Sequence, residues 1–271
     1  MALRDIGAEF QHHKLVEIDK FAVASYNAIH NTNFPTLDIT KMKGEDLGIV
    51  NKDRFCYILT WSYPCQSVSL AGKREGMKEG SGTASSLGWE VMRLLKETVE
   101  KPDVLLMENV PQVLSGENLK EFQRMQDILD ELGYINFVQL LNAKDFGVAQ
   151  NRLRAFQVSI YGKQYNYRFP QPIPLTKTIA DYLEDEVDEK YYINSDRAKQ
   201  LIETLEKDKQ IGGRKTLVDS TLGEPKSREV ANCILTRQRG IVNKKQEGNV
   251  IVEVIDENKA DRQHNETSEE F

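Results

Sequence analysis

Cysteine is scarce in this sequence, and its scarcity excludes two kinds of structure. The chain has 271 residues and three cysteines, Cys56, Cys65 and Cys233. None of them belongs to a Cys-x-x-Cys pair, so the pattern favours neither a disulfide framework nor a zinc site. Each thiol therefore needs its own explanation, and we expect Cys56 and Cys233 to be small apolar side chains of the core.

Long apolar runs are also lacking. The sequence has no stretch of about 18 to 20 apolar residues, the length that a membrane-spanning helix needs. Its N-terminus has no basic segment followed by an apolar run, as a secretory signal requires. We therefore expect a cytoplasmic protein with no membrane partner.

Positive charge is not in excess, because the formal net charge is −6. This balance argues mildly against a nucleic-acid partner, since phosphate contacts require Lys and Arg. Residues 209–245 nevertheless contain nine basic and three acidic residues. The local excess is consistent with a phosphate-facing patch, and equally with a solvated loop balanced by the acidic residues 184–189.

The first part of the chain alternates strand-like and helix-like segments, which is typical of an α/β domain with a mostly parallel sheet. Three prolines in residues 169–174 predict a domain boundary, and the low apolar content beyond it predicts a small lobe with a polar tail. The predicted domains are residues 1–169 and 170–271. Strands are predicted at residues 14–18, 55–61, 104–107, 134–141 and 154–161, and helices at 21–30, 87–98 and 122–132.

Reactive side chains stand at the ends of several predicted strands, where the ligands of open α/β sheets bind. Cys65 and Glu108 each follow a buried strand, and Arg152 and Arg154 lead into the last one. Together they supply a nucleophile, a proton-carrying carboxyl and cationic donors. Each has an ordinary alternative, since Cys65 could pack in the core, Glu108 could be solvated and the arginines could line an exposed strand face.

Acidic residues also follow the first predicted strand and a second early segment. Glu17 and Asp38 are each followed by isoleucine. A carboxylate in such a place commonly accepts hydrogen bonds from a ribose diol. The alternative is that the acid caps a helix or lies in a solvated turn, and Asp19 is a candidate for such a cap.

Three motifs, in this order, resemble the DNA cytosine-5 methyltransferase family. Pro64-Cys65-Gln66 is similar to the family's Pro-Cys-Gln, Glu108-Asn109-Val110 to Glu-Asn-Val, and residues 150–154, Gln-Asn-Arg-Leu-Arg, to Gln-x-Arg-x-Arg. The helix start at residues 86–90 also has its expected place, and the resemblance covers residues 8 to about 162. RNA cytosine-5 methyltransferases of the same fold share these motifs, so the chemistry is better specified than the nucleic acid.

The resemblance implies a Rossmann-like S-adenosylmethionine-dependent methyltransferase fold with a small target-recognition lobe. It implies that Cys65 attacks C6 of a cytosine flipped out of double-stranded DNA, that Glu108 handles the proton at N3, and that Arg152 and Arg154 orient the base. A restriction-modification or phage setting is expected, with no metal and no protein partner. The implied cofactor-binding residues are Glu17, Ile18, Asp38, Ile39 and Pro64, and the implied DNA-binding residues are Gln66, Ser67, Arg237, Arg239, Lys244 and Lys245.

The sequence departs from the family at both ends. The family's first strand and its Phe-x-Gly-x-Gly loop have no counterpart here, and residues 1–7 are similar to the helix that follows that loop. Gly248-Asn249 echoes the family's final Gly-Asn motif, but we expect residues 228–253 to belong to the recognition lobe. The chain is thus expected to be truncated and to transfer methyl groups poorly by itself. A second hypothesis is an inactive remnant that only binds nucleic acid; an unrelated thiol enzyme is disfavoured, because no histidine lies near Cys65 in the sequence.

Overall fold

The structure is a computed structural model that describes residues 2–64, 76–162, 165–184, 186–192 and 196–208. Four short strand segments at residues 215–219, 226–228, 231–232 and 249–253 complete the described part. The chain divides into two compact units. Unit 1 consists of Met1–Leu140 and Arg154–Phe169, and unit 2 of Leu141–Leu153 and Pro170–Phe271.

The described residues of unit 1 include four α-helices and four main strands; the last two residues of β3 and the first residue of β5 belong to unit 2. The helices are α1 (Ala2–Asp5), α2 (Lys20–His30), α3 (Gly88–Glu97) and α4 (Gly116–Glu131). The strands are β1 (Ile58–Trp61), β2 (Val104–Asn109), β3 (Tyr134–Asn142) and β5 (Leu153–Tyr161), while the two-residue β4 (Gln150–Asn151) belongs to unit 2. The helices predicted at 21–30, 87–98 and 122–132 are confirmed.

The four strands form one sheet in the order β1-β2-β5-β3. β1 and β2 are parallel, whereas β2 and β5 are antiparallel. β3 and β5 also run antiparallel, because Gly162 N donates to Gly133 O at one end and Ala143 N to Arg152 O at the other. The prediction of a mostly parallel sheet is therefore wrong for the described strands. The connection from β3 to β5 is too short for the crossover that parallel neighbours require.

The core of unit 1 lies where α3 and α4 cover the sheet. β2 alternates along its length, so that Leu105 and Met107 are buried on the same face of the sheet. Leu95 of α3 and Leu129 of α4 are fully buried in one cluster with Leu105. α4 ends before Gly133, whose φ of 94° lies in the left-handed region that favours glycine.

Two further expectations about unit 1 are wrong. Residues 14–18 do not form a strand, because in the described part of the chain this segment has a single backbone bond to a neighbour, from Leu37 N to Glu17 O at 2.9 Å. Residues 55–61 do not form a fully buried strand, and Cys56 is exposed. β1 is an edge strand of the described sheet, so its outer residues are not covered by a neighbouring strand.

Unit 2 contains a small antiparallel sheet. β6 (Lys215–Asp219) pairs with β7 (Lys226–Arg228) on one side and with β9 (Asn249–Glu253) on the other. Helix α5 (Asp196–Lys207) packs on it through Leu205, which is buried with Val218. β4 pairs in parallel with β8 (Ala231–Asn232), within the same unit. Asn249 therefore begins a strand of this small sheet. In the part of the chain that the structure describes, no helix has the length and hydropathy to cross a membrane.

Candidate active site

The carboxyl end of β2 brings two predicted site residues together. Arg154 Nε lies 3.1 Å from Glu108 Oε1, and the two side chains are 17% and 36% exposed. The strand register explains the pair, because Glu108 stands opposite Phe156 of β5 and Arg154 lies two residues before Phe156, on the same face of the sheet. The carboxyl is thus oriented by a guanidinium and still reaches the surface.

Asn109, the next residue of β2, points to the opposite face and is 2% exposed. Its Nδ2 donates to Tyr63 O at 3.1 Å, and its Oδ1 accepts from Val110 N at 2.9 Å. Trp61 of β1 stands opposite Met107, so Tyr63 lies about level with Asn109. The end of β2 therefore holds the segment that follows β1.

That segment leads directly to Cys65. Pro64 O accepts a hydrogen bond from Ser85 Oγ at 2.5 Å, and Ser85 is fully buried. The Tyr63 hydroxyl donates to Met77 Sδ at 3.4 Å, and burial raises the pKa of this phenol far above its ordinary value. Tyr63 is thus a neutral structural side chain of the core, and the exposed Pro64 is held through its carbonyl.

An open cleft of about 550 Å³ lies beside the two acidic segments near the N-terminus. Ile18 and Asp38, both predicted to bind the cofactor, line it. Glu17 is tied to the same place through its carbonyl, which accepts from Leu37 N. The remaining lining residues are Lys14, Thr36, Leu37, Lys41, Met42 and Asp46.

Asp38 caps the 3-10 helix Ile39–Lys41. Its Oδ1 accepts from the Thr40 hydroxyl at 2.7 Å and from Thr40 N at 3.0 Å. These bonds hold the pKa of the Asp38 carboxyl below its ordinary value, and Lys41 acts in the same direction. Asp38 therefore remains ionised through the neutral pH range and faces the cleft as a carboxylate.

Arg93 of α3 anchors the segment next to this cleft. Its NH2 group donates to Ile39 O at 3.1 Å, while its other nitrogens bond Glu90 and Glu97. Glu97 in turn accepts from Gly44 N at 2.9 Å. A Cβ on Gly44 would come within 2.3 Å of Thr98 N, so only glycine fits this approach. The side chain of Ile39 packs into the core instead of lining the cleft.

Arg152 lies in unit 2, in a short connection organised by Asn142. Asn142 Oδ1 accepts from Arg152 N at 2.9 Å, and its Nδ2 donates to Asn151 Oδ1 at 2.7 Å. Ala143 N also donates to Arg152 O. The backbone on both sides of the Arg152 side chain is thereby held in place.

Seven predicted site residues lie outside the described part of the chain: Cys65, Gln66, Ser67, Arg237, Arg239, Lys244 and Lys245. Cys233 lies outside it as well. Among the described residues, sequence reasoning missed the roles of Asn109, Ser85 and Arg93. Only Asn109 gave a signal, because strand alternation places the residue after an accessible Glu108 in the core, where an amide needs a partner.

Comparison with known proteins places the chain in a family. The model of the C-5 cytosine-specific DNA methylases matches residues 1–270. The type II methyltransferase M2.ScrFI of Lactococcus lactis subsp. cremoris is 40% identical over 51% of this chain and 38% of its own length. The type II methyltransferase M.NlaX of Neisseria lactamica is 36% identical over 66% of this chain and 53% of its own. The orphan methyltransferase M.SPBetaI of Bacillus phage SPbeta is 28% identical over 75% of this chain and 58% of its own.

Solved structures show the fold. The structure of the Dnmt2 methyltransferase of S. pombe aligns over 78% of this chain and 62% of its own length, with a TM-score of 0.54 and 19% sequence identity. A DNMT2 mutant of Spodoptera frugiperda gives a TM-score of 0.55 with 20% identity, over 78% of this chain and 61% of its own. The fold is the Rossmann-like α/β fold of S-adenosylmethionine-dependent methyltransferases. The chain spans about half the length of the curated relatives it matches, and it belongs to the C-5 cytosine-specific DNA methylase family.

Proposed function

We propose that the protein transfers a methyl group from S-adenosylmethionine to C5 of a cytosine in double-stranded DNA. The observation that carries the proposal is the ion pair of Glu108 with Arg154, at 3.1 Å. The next residue of the same strand, Asn109, binds the carbonyl of Tyr63, two residues before Cys65 in the sequence. A carboxyl, a guanidinium and a thiol are the groups that activate a pyrimidine ring, and Glu108, Arg154 and Cys65 supply them. Residues 1–169 would form the catalytic domain, and residues 170–271 a target-recognition region.

In the proposed reaction, the Cys65 thiolate forms a bond to C6 of the base. The electron pair of the C5–C6 double bond shifts to C4–C5, and the pair of the N3–C4 double bond moves to N3, which takes a proton from the Glu108 carboxyl; the resulting enamine is electron-rich at C5. Arg154, together with Arg152, donates to the O2 side of the ring. After methylation, C5 loses its proton to water, the bond to sulfur breaks with the electron pair returning to Cys65, and N3 returns its proton to Glu108.

The residues of the cleft lined by Ile18 and Asp38 fit the adenosine part of the cofactor. Ile18, Leu37 and Met42 offer apolar surface to the adenine, and Asp38 offers a carboxylate that accepts hydrogen bonds. Glu17, held beside Leu37, is the candidate for the ribose hydroxyls, with Ile39 and Pro64 as the other proposed cofactor-binding positions. When bound, S-adenosylmethionine supplies the methyl group as an electrophile on a sulfonium.

The proposed substrate requires that the cytosine leave the duplex stack, at a cost of a few kcal/mol. Polar and basic side chains can offset this cost by binding the phosphates and the vacated strand. We propose this role for Gln66, Ser67, Arg237, Arg239, Lys244 and Lys245. The type II and phage methyltransferases among the relatives support a restriction-modification or phage setting.

The proposal is tested by incubating the protein, in excess over substrate so that slow transfer is measurable, with S-adenosylmethionine labelled in its methyl group. We expect label on C5 of cytosine in double-stranded DNA and not in an RNA of the same sequence. Label in the RNA alone would reassign the substrate. DNA binding without any label would favour the inactive remnant.

Replacing Asp38 with alanine is expected to weaken cofactor binding about tenfold or more. The change removes a carboxylate from the cleft and the cap of the Ile39–Lys41 turn, and losing a hydrogen bond to a charged group costs roughly 1.5–3 kcal/mol. Calorimetric titration with S-adenosylmethionine measures the effect. Asp53→Ala, an exposed carboxylate that does not line the cleft, is the matched control and should bind like the original protein. If Asp38→Ala and Asp53→Ala bound S-adenosylmethionine with equal affinity, Asp38 would not be part of the cofactor site.

A further inference from the structure

Two buried side chains donate hydrogen bonds to the backbone carbonyl groups of the two residues that precede Cys65. Asn109 Nδ2 donates to the carbonyl of Tyr63, and Ser85 Oγ donates to the carbonyl of Pro64. Both donors lie in the protein interior. Carbonyls of an irregular surface segment are ordinarily bonded by water, which allows the peptide planes to reorient. Here two successive planes are fixed by the protein itself.

The two donors are themselves immobilised, and they come from different elements. Asn109 ends strand β2, and its Oδ1 accepts from Val110 N at 2.9 Å, which fixes the rotation of its amide. Ser85 belongs to the 3-10 helix Ala84–Leu87, whose first turn is capped by the Thr83 side chain. The segment before Cys65 is therefore held from the sheet on one side and from a helix start on the other.

The same helix start holds the chain where the described residues resume at Gly76. Thr83 Oγ1 donates to Gly76 O at 3.1 Å. Trp89, at the start of α3, donates through Nε1 to Met77 O at 2.9 Å, and Tyr63 reaches the sulfur of the same methionine. Tyr63 is thus part of one packed cluster with Met77, Trp89 and the core residues of α3, and Pro64 is tied to this cluster's edge through the bond from Ser85.

We propose that Asn109 and Ser85 are positioning residues, which set the direction in which the Cys65 side chain leaves the backbone. This inference rests on the proposed function for the role of the thiol. Rotation of either preceding peptide plane displaces Cβ of the next residue, and a displacement of about 1 Å in a reacting group can cost on the order of a hundredfold in rate. Neither side chain touches the base, so the binding of substrate and cofactor should not depend on them.

The test compares Asn109→Ala and Ser85→Ala with the matched control Asn27→Ala. Asn27 makes the same kinds of bond at α2, donating to Phe34 O and accepting from Phe34 N, both at 2.9 Å. The first readout is the rate at which Cys65 forms a covalent adduct with DNA containing 5-fluorocytosine, at saturating cofactor and DNA. The second is the pH dependence of Cys65 alkylation by iodoacetamide without DNA, with the exposed Cys56 as an internal reference.

We expect the adduct rate to fall about tenfold to a hundredfold in Asn109→Ala and Ser85→Ala, while the dissociation constants for cofactor and DNA stay unchanged. The pH midpoint of Cys65 alkylation should shift in these two variants and not in Asn27→Ala, even where all three unfold at lower temperature. A purely structural role would make the three variants alike.

The outcomes separate the inference from the proposed function. If the original protein forms no adduct, the proposed function fails, and the alkylation midpoints still decide whether Asn109 and Ser85 control the thiol. If adduct rates and midpoints match those of the original protein, the inference is overturned. Should Asn109→Ala not fold, Ser85→Ala, which removes only one hydroxyl, decides the question by itself.

Discussion

Replacing Cys65 with alanine is expected to abolish methyl transfer to DNA, by about four orders of magnitude or more. In the proposed reaction the bond from Cys65 to C6 makes C5 electron-rich, and removing a nucleophile that acts together with its partners costs nearly the whole rate enhancement. The measurement is incorporation of labelled methyl in a single turnover. Cofactor binding by the variant should be retained, because all the proposed cofactor-binding residues are unchanged.

Cys56→Ala and Cys233→Ala are the controls for this experiment. Cys56 is exposed, lies two residues before the edge strand β1, and has no place in the proposed chemistry. Both controls should keep the original rate. Methyl transfer that survives in Cys65→Ala, or that disappears in Cys56→Ala, would show that Cys65 is not the nucleophile.

Replacing Glu108 with glutamine is expected to lower the rate of transfer by about 10²- to 10⁴-fold, the usual contribution of a positioned general acid. Glutamine keeps the length of the side chain and an oxygen that can accept from Arg154, so the pair at the end of β2 can persist. What is lost is the carboxyl proton that the proposed reaction moves to N3. Single-turnover assays at saturating DNA and cofactor isolate this step from binding.

Glu117→Gln is the matched control for Glu108→Gln, since Glu117 is an exposed carboxylate of α4 that pairs with Lys120. It should transfer methyl groups at the original rate. Glu108→Asp keeps the proton but shortens the side chain, so a rate between those of the glutamine variant and the original protein is expected. An unchanged rate in Glu108→Gln would remove Glu108 from the reaction.

Much of unit 1 could be predicted from the sequence, because helix periodicity and capping are local properties. α2 begins after Asp19, whose carboxylate accepts from Phe21 N, as the sequence suggested for a capping aspartate. The pairing direction of strands is not local. The sequence around β3 and β5 shows two apolar runs, and only the short connection between them excludes a parallel arrangement.

The burial of residues 55–61 was mispredicted, because the number of neighbours of a strand is not a local property of the sequence either. Residues 55–61 are apolar and aromatic, which is typical of a strand covered on both faces. Apolar composition does not reveal whether a strand has neighbours on both sides, and β1 has only β2 in the described sheet. Cys56, two residues before β1, is exposed instead of packed in the core.

The reactive residues of the candidate site could be predicted, because they stand at the ends of strands. The hydrogen bonds by which other side chains hold the site's backbone could not be predicted. Glu108 and Arg154 were both named from the sequence, and the structure brings them together. The bond from Ser85 to Pro64 joins residues 21 positions apart. Serine is common at helix starts for capping reasons alone, so its sequence position gave no signal of this contact.

Covalent trapping tests the central claim most directly. The protein is incubated with S-adenosylmethionine and double-stranded DNA that carries 5-fluorocytosine, digested, and mapped by mass spectrometry. Fluorine cannot leave C5 as a proton does, so the bond between sulfur and C6 should persist. The account predicts a single modified peptide that carries the methylated, fluorinated base on Cys65. An adduct on Cys56 or Cys233, or methyl transfer to cytosine with no adduct at any cysteine, would contradict it.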